Sequence, residues 1–385
     1  MARAGVEPVS ALYINDLWFW PPHMNKSFHK FIQFVVTVLS VAIQPLDLVV
    51  SNAAASALPL AAAFNGALLS AGSISPETDS RLLRVLTSPV LFKGDAQTAY
   101  RDPLILHADG TFWMFFTLNT HDADGLPYWQ TAYSRSSDLA HWSAPVSVTP
   151  RDRKLNYCSP GAIVRYGGRW VMCLQTYPTP GKSVYGDDSS RLWLMRSDDL
   201  MHWETPELIQ FLGPDVTREA MPRMIDPFLL EDKDDAGKWW CFCKVKQTGV
   251  SMAWSRDLKT WHPQGREEGG ENPCVIVQGG EYVLFHSPGN GIGVKRSKDL
   301  RTWRDEGVLT LGQKDWPWAQ GRLTAGYVLD ARNVSGVGRY LMVFHGSGPQ
   351  DEHTMFHTYA SIGLAWSDDL KIWHWPGESD SAPTQ

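Results

Sequence analysis

One phrase recurs five times along the 385 residues: Ser-x-Asp-Leu-x-x-Trp. Its copies are Ser136 to Trp142, Ser197 to Trp203, Ser255 to Trp261, Ser297 to Trp303 and Ser367 to Trp373, starting roughly 40 to 70 residues apart. That spacing belongs to blades or solenoid units. Each copy follows a short apolar run such as Leu192-Trp193-Leu194-Met195 or Gly363-Leu364-Ala365-Trp366. The residue types predict a tight corner. Ser and Asp side chains accept nearby backbone N–H groups, Leu is pinned inward, and Trp opens the next strand against the neighbouring unit. Such a corner is structural and carries no chemistry of its own.

Ahead of each corner lies a hairpin. Leu104 to His107 and Phe112 to Thr117 flank an Asp109-Gly110 turn; Ala162 to Tyr166 and Trp170 to Gln175 flank Gly167-Gly168. Phe228 to Glu231 pairs with Trp239 to Val245, Cys274 to Val277 with Tyr282 to His286, and Tyr327 to Asp330 with Tyr340 to His345. A third strand precedes each corner and a fourth follows it, with almost no helical periodicity between units. Five units of four strands predict an all-β chain: a five-bladed β-propeller with four antiparallel strands per blade.

The first 85 residues read differently. Met24-Asn25-Lys26-Ser27-Phe28-His29-Lys30, the apolar run from Phe31 to Ile43, and Ala53-Ala54-Ala55-Ser56-Ala57 together resemble an export signal starting at Met24. Residues 1–85 are therefore expected to be a leader and linker, 86–376 the propeller, and 377–385 a polar tail. Secretion or periplasmic export follows, with no membrane attachment after signal removal. The formal charge of -6 and the lack of a basic run give no reason to expect a nucleic acid partner. Five cysteines leave at least one thiol free, and buried small side chains are their expected fate.

In a propeller the innermost strands converge on a central channel. The residues just ahead of the first hairpin strands are Arg101-Asp102-Pro103, Cys158-Ser159-Pro160, Ile225-Asp226-Pro227, Glu271-Asn272-Pro273 and Arg322-Leu323-Thr324. Acids thus arrive from the first, third and fourth blades, a Ser from the second and an Arg from the fifth. One Asp-Pro could simply start a strand, where no ladder donor is needed. Three acids in register across blades point to a site. Two carboxyl groups flanking a glycosidic bond can protonate the leaving oxygen and activate water, and a third beside the acid keeps it protonated.

The stretch from about Ser88 to Trp375 resembles glycoside hydrolase family 43 and its five-bladed relatives in families 32, 62, 68 and 117. The resemblance rests on Asp102-Pro103, Asp226-Pro227, Glu271-Asn272-Pro273 and the strand Tyr282-Val283-Leu284-Phe285-His286-Ser287. It implies Asp102 as general base, Asp226 as pKa modulator and Glu271 as general acid, with inversion at the anomeric carbon. It also implies an exo-acting α-L-arabinofuranosidase or β-xylosidase on plant- or algal-type glycans, so the expected partner is an oligo- or polysaccharide. Asn272 stands where Gly is usual, and Cys158-Ser159-Pro160 replaces a "WAP" segment, which leaves the sub-family and sugar open.

Arg322, Ser159, Tyr157 and Trp318 are the candidate substrate contacts. Arg322 could bind a sugar hydroxyl or orient a carboxylate, and Tyr157, Trp316 or Trp318 could stack on a sugar or pack between blades. No cofactor is required. The resemblance allows an axial calcium ion beside His345, the alternative being a core histidine. Fructan-cleaving propellers share an Arg-Asp-Pro but need an Asn-Asp-Pro-Asn-Gly segment that this chain lacks. Sialidases carry a related corner with an added Gly and need an arginine triad. A binding propeller without catalysis would not require three mutually repelling carboxylates.

Overall fold

A computed structural model describes residues 80–246, 248–348 and 358–378. The proposed export signal and most of the polar tail lie outside these residues. Five four-stranded antiparallel sheets make up the fold. The first blade runs Thr98–Ala108, Thr111–His121, Pro127–Ser136, Val146–Ser147; the second Tyr157–Tyr166, Arg169–Thr176, Leu192–Ser197, Glu207–Leu208. The third runs Met224–Glu231, Trp239–Val245, Thr248–Ser255, His262–Glu267, and the fourth Glu271–Gln278, Glu281–Ser287, Ile292–Ser297, Trp303–Leu309. The inner strands touch their neighbours in turn, the fifth returning to the first, so the sheets close into a ring.

The fifth blade differs from the sequence expectation. Among the described residues, its strands Arg322–Ala331, Arg339–Ser347 and Ser361–Ser367 are followed by no fourth strand after the corner, only by an isolated bridge between Trp366 and His374. Val90–Phe92, from the start of the described chain, supplies the outer strand instead and pairs antiparallel with Ser361–Ser367. The ring is thereby fastened by joining the two ends of the propeller within one sheet, with Val90–Phe92 covering the edge of Ser361–Ser367.

The repeated phrase forms the corner it predicts. In the second blade Ser197 Oγ accepts the N–H of Asp199 at 3.2 Å and of Leu200 at 2.9 Å. Asp199 Oδ1 then accepts Met201 N–H at 2.9 Å and His202 N–H at 2.8 Å. Each corner Leu sits in the left-handed region, with φ of 66° at Leu139, 66° at Leu200, 56° at Leu258, 60° at Leu300 and 66° at Leu370. A leucine there costs about 1 kcal/mol, offset by full burial of its side chain. The tryptophans lean on the preceding blade: Trp203 meets Phe115 edge-on at 5.9 Å and Trp373 meets Phe285 at 6.3 Å. Trp142 packs on Phe92 of the closing strand at 5.5 Å.

The core therefore lies between sheets. One buried cluster spans the second to fifth blades, a second joins the fifth to the first, and a third joins the first to the second. Close approach at the axis sets residue size. A Cβ on Gly161 would fall 1.4 Å from the Pro227 carbonyl oxygen, so only glycine lets those inner strands meet.

Candidate functional site

The inner strands start earlier than their apolar runs suggest, and the candidate residues sit within them at a bulge. In every blade the ladder with the second strand shifts register there, between Arg101 and Leu104, Cys158 and Ala162, Ile225 and Phe228, Glu271 and Cys274, Thr324 and Tyr327. One non-glycine residue per bulge adopts a left-handed conformation: Asp102 at φ 46°, Ser159 at 48°, Asp226 at 55°, Asn272 at 51° and Ala325 at 54°. Asp and Asn tolerate that region better than most side chains, and strain of this kind gathers at functional sites. These five residues line one axial cavity, together with Pro103, Pro160, Pro227, Pro273 and Gly326.

This register corrects two positions. The fourth blade's equivalent of Asp102 and Asp226 is Asn272, one residue beyond Glu271. The fifth blade's inner residue is Ala325, while Arg322 lies three residues earlier. Glu271 and Arg322 thus belong to the rim above the bulge layer, and they meet each other there.

Asp102 is buried and well held. Thr117 Oγ1 and Ser159 Oγ each donate to its Oδ2 at 3.0 Å. Its Oδ1 lies 3.5 Å from Asn272 Nδ2, 3.7 Å from His345 Nδ1 and 3.9 Å from the Arg101 guanidinium. Ser159, expected to contact substrate, gives its hydroxyl to Asp102. Asp226 is buried too, and its Oδ2 accepts the Asn272 N–H at 3.3 Å. Asn272 therefore links the two aspartates, its backbone to one and its side-chain amide facing the other.

Glu271 is half-buried and clamped. Lys244 Nζ contacts Oε2 at 2.8 Å and Arg322 donates to Oε1 at 2.9 Å, its Nε also reaching Gly289 O at 3.0 Å. Arg322 thus orients a carboxylate. Burial, then the Glu271 and Asp102 carboxylates nearby, push the Asp226 carboxyl up to about 7, against the pull of Lys244 and the Asn272 N–H. Burial also pushes Glu271 up, but Lys244 and Arg322 outweigh it and leave its carboxyl below the usual glutamate range. Of the two, Asp226 therefore binds a proton more readily than Glu271.

Two candidate aromatic platforms are used elsewhere. Tyr157 is buried in the second inner strand, edge-on to Trp193 at 5.5 Å, within the core between first and second blades. Trp318 stacks on Trp316 at 5.3 Å and Phe344 at 6.0 Å, inside fifth-blade packing. Neither lines the axial cavity.

His345 tests the calcium expectation. Its Nδ1 accepts the Asp102 N–H at 3.1 Å, and burial with Arg101 and Arg322 nearby pushes its ring well below the usual histidine range. A neutral ring accepting at Nδ1 carries its proton on Nε2, so neither nitrogen offers a free lone pair to a cation. Among the described residues no three His, Cys, Asp or Glu side chains cluster as ligands. His345 in this arrangement does not fit a calcium ligand.

No protein-family model matches the sequence, and no curated protein matches it. Solved structures do. The catalytic domain of a family 62 α-L-arabinofuranosidase from Coprinopsis cinerea aligns at 12% identity and TM-score 0.53, covering 73% of this chain and 98% of that one. The GH43_1 enzyme of Xanthomonas citri complexed with xylotriose aligns at 13% and 0.52, covering 80% and 99%. A family 117 glycoside hydrolase of the marine bacterium Zobellia galactanivorans aligns at 17% and 0.52, covering 70% and 86%. This chain shares their fold.

Proposed function

We propose that this protein is a glycoside hydrolase whose reaction takes place at the axial mouth, with Asp102, Asp226 and Glu271 as its working carboxyl groups. The observation that carries this reading is the convergence of three blades' acids at one place: Asp102 and Asp226 line the axial cavity and are linked through Asn272, while Glu271 stands at its rim, near enough for its charge to raise the proton affinity of Asp226. Three carboxyl groups brought together in a low-dielectric hollow cost folding energy, and their usefulness is chemical. The names of the solved structures, an α-L-arabinofuranosidase and an enzyme complexed with xylotriose among them, favour an arabinofuranoside or a xyloside as substrate; cleavage from a chain end with inversion is what the sequence resemblance adds to the proposal.

In this scheme Asp102, held by Thr117 and Ser159, takes the proton of the attacking water. Glu271 protonates the leaving oxygen. To do so it must first gain a proton, which Asp226 binds more readily at rest, and a sugar hydroxyl drawing Arg322 away from Oε1 would raise the affinity of Glu271 for it. His345 Nε2–H is buried and has no hydrogen-bond partner among the described residues. A second reading is favoured by the resting charges: Asp226 is itself the acid and Glu271 a fixed anion. Export to the cell exterior or periplasm, where such glycans are met, completes the proposal.

The test is a screen of aryl furanosides and pyranosides, with the product anomer read by NMR on whichever is cleaved. Glu271→Ala should lower kcat/KM about 100-fold or more on a poor leaving group while an activated aryl glycoside keeps much of its rate. If Asp226→Asn shows that leaving-group dependence instead, the second reading holds. Intact activity in Glu271→Ala, Asp102→Asn and Asp226→Asn would sink both.

A further inference from the structure

Four of the five bulges share a fastening that the sequence repeat does not announce. At each of the four, a side chain in the later part of a second strand accepts the N–H of the left-handed residue of the next blade. Thr117 Oγ1 accepts Ser159 N–H at 2.8 Å, and Gln175 Oε1 accepts Asp226 N–H at 2.5 Å. Ser287 Oγ accepts Ala325 N–H at 2.9 Å, and His345 Nδ1 accepts Asp102 N–H at 3.1 Å, closing the circle. Each acceptor pairs across its own ladder with the residue just before its blade's bulge: Thr117 with Arg101, Gln175 with Cys158, Ser287 with Glu271, His345 with Thr324.

The third blade's residue in this slot is Lys244, paired with Ile225. An ammonium group has no acceptor. Two consequences follow at once. The Asn272 N–H, which would have bonded to the third blade's slot, goes to Asp226 Oδ2, and the lysine's charge reaches over to Glu271 Oε2. The single exception to the circle falls between the two acids whose proton is in question.

We propose that Lys244 is a positioning residue that arranges Glu271 and Asp226 for their shared work, by what it donates and equally by what it cannot accept. This rests on the hydrolase reading above for its purpose, though not for its geometry. Glu271 is faced by Lys244, by Arg322 from the fifth inner strand, by Asp226 and by the neutral His345. Asp226 is faced by Glu271, Asp102 and Lys244, and by the Cys158 and Cys243 thiols, which burial keeps protonated. Lys244 is the cation that touches Glu271 and also acts on Asp226.

Three substitutions separate its two actions. Lys244→Met removes the charge and leaves the Asn272–Asp226 bond alone. Lys244→Gln removes the charge and restores the acceptor that Gln175 provides in the second blade, drawing the Asn272 N–H away from Asp226. Lys244→Arg keeps the charge. Side-chain carboxyl 13C NMR titration should show the Glu271 midpoint rising in the Met and Gln variants, and the Asp226 midpoint rising further in Gln than in Met. The Arg variant should titrate like the parent. The pH profile of kcat/KM should move to higher pH in Met and Gln and be rescued in Arg, with kcat/KM on a poor leaving group falling about 100-fold in the first two. A Glu271 midpoint unchanged in Lys244→Met, or equal Asp226 midpoints in Met and Gln, overturns the proposal. The titration needs no substrate. A protein that cleaves no glycoside would therefore sink the hydrolase reading while leaving Lys244 to be judged by NMR.

Discussion

Asp226 shows most directly how a residue's surroundings decide its work. The same Asp-Pro pair occurs at Asp102, yet the two carboxyl groups are treated differently. Asp102 receives two hydroxyl donors on one oxygen, whereas Asp226 receives a single 3.3 Å backbone donor and faces two other carboxylates. Burial and those charges raise its proton affinity, to about 7 from the unperturbed 3.8. An acid whose folded pKa is raised contributes stability that is present below its unfolded value and lost as pH rises through its folded value. Stability attributable to Asp226 should therefore decline between about pH 4 and pH 7. Asp226→Asn, which mimics the protonated form, should flatten that decline and melt above the parent at pH 8. Differential scanning calorimetry at several pH values checks this, and a variant that melts lower at pH 8 contradicts it.

At the scale of the element, the corner and the bulge are the two devices repeated in each blade, one at each end of the strands that matter. The corner stores a left-handed leucine by surrounding it with hydrogen bonds from Ser and Asp. Removing the Ser leaves two backbone donors to find water beside a buried Leu. Ser197→Ala should cost about 1 to 2 kcal/mol, seen as a lower urea midpoint with an unchanged slope. Ser367→Ala should cost a similar amount, because Asp369 and Leu370 N–H bond to its hydroxyl at 3.2 Å and 2.9 Å. A loss confined to one blade would mean that the copies are not equivalent. The bulge works oppositely, since its left-handed residue is varied between blades and its side chain is aimed at the axis.

For the whole molecule, closure is the property that everything else depends on. The fifth sheet takes its outer strand from Val90–Phe92, where Phe92 also packs on Tyr100, Phe116 and Trp142 of the first blade. Starting the chain at residue 94 removes that strand and bares the edge of Ser361–Ser367. Such a truncation should lower Tm by many degrees and promote association in light scattering, while one starting at residue 80 should match the full chain after the leader. Equal melting of the two truncations would show that the strand is dispensable. Because the axial carboxyl groups come from separate blades, loosening the ring should also loosen the site.

The sequence alone settled the repeat, the blade number, the corners and the candidate acids, because each is written in contiguous residues: turn types, apolar runs and an acid beside a proline. Asn272 was visible only as a departure, and Lys244 only as one position in the run from Trp239 to Val245. The matching ends Thr117, Gln175, Ser287 and His345 were equally visible, and they could have been set side by side as four acceptors and one cation. What tertiary structure alone decided was everything that crosses between blades. That includes the closing strand from the amino-terminal side and the commitment of Tyr157 and Trp318 to packing. It also includes the hydroxyl that Ser159 gives to Asp102 and the division of charge between Asp226 and Glu271. Those outcomes depend on distances between residues far apart in the chain, and through-space electrostatics and packing have no counterpart in a local pattern.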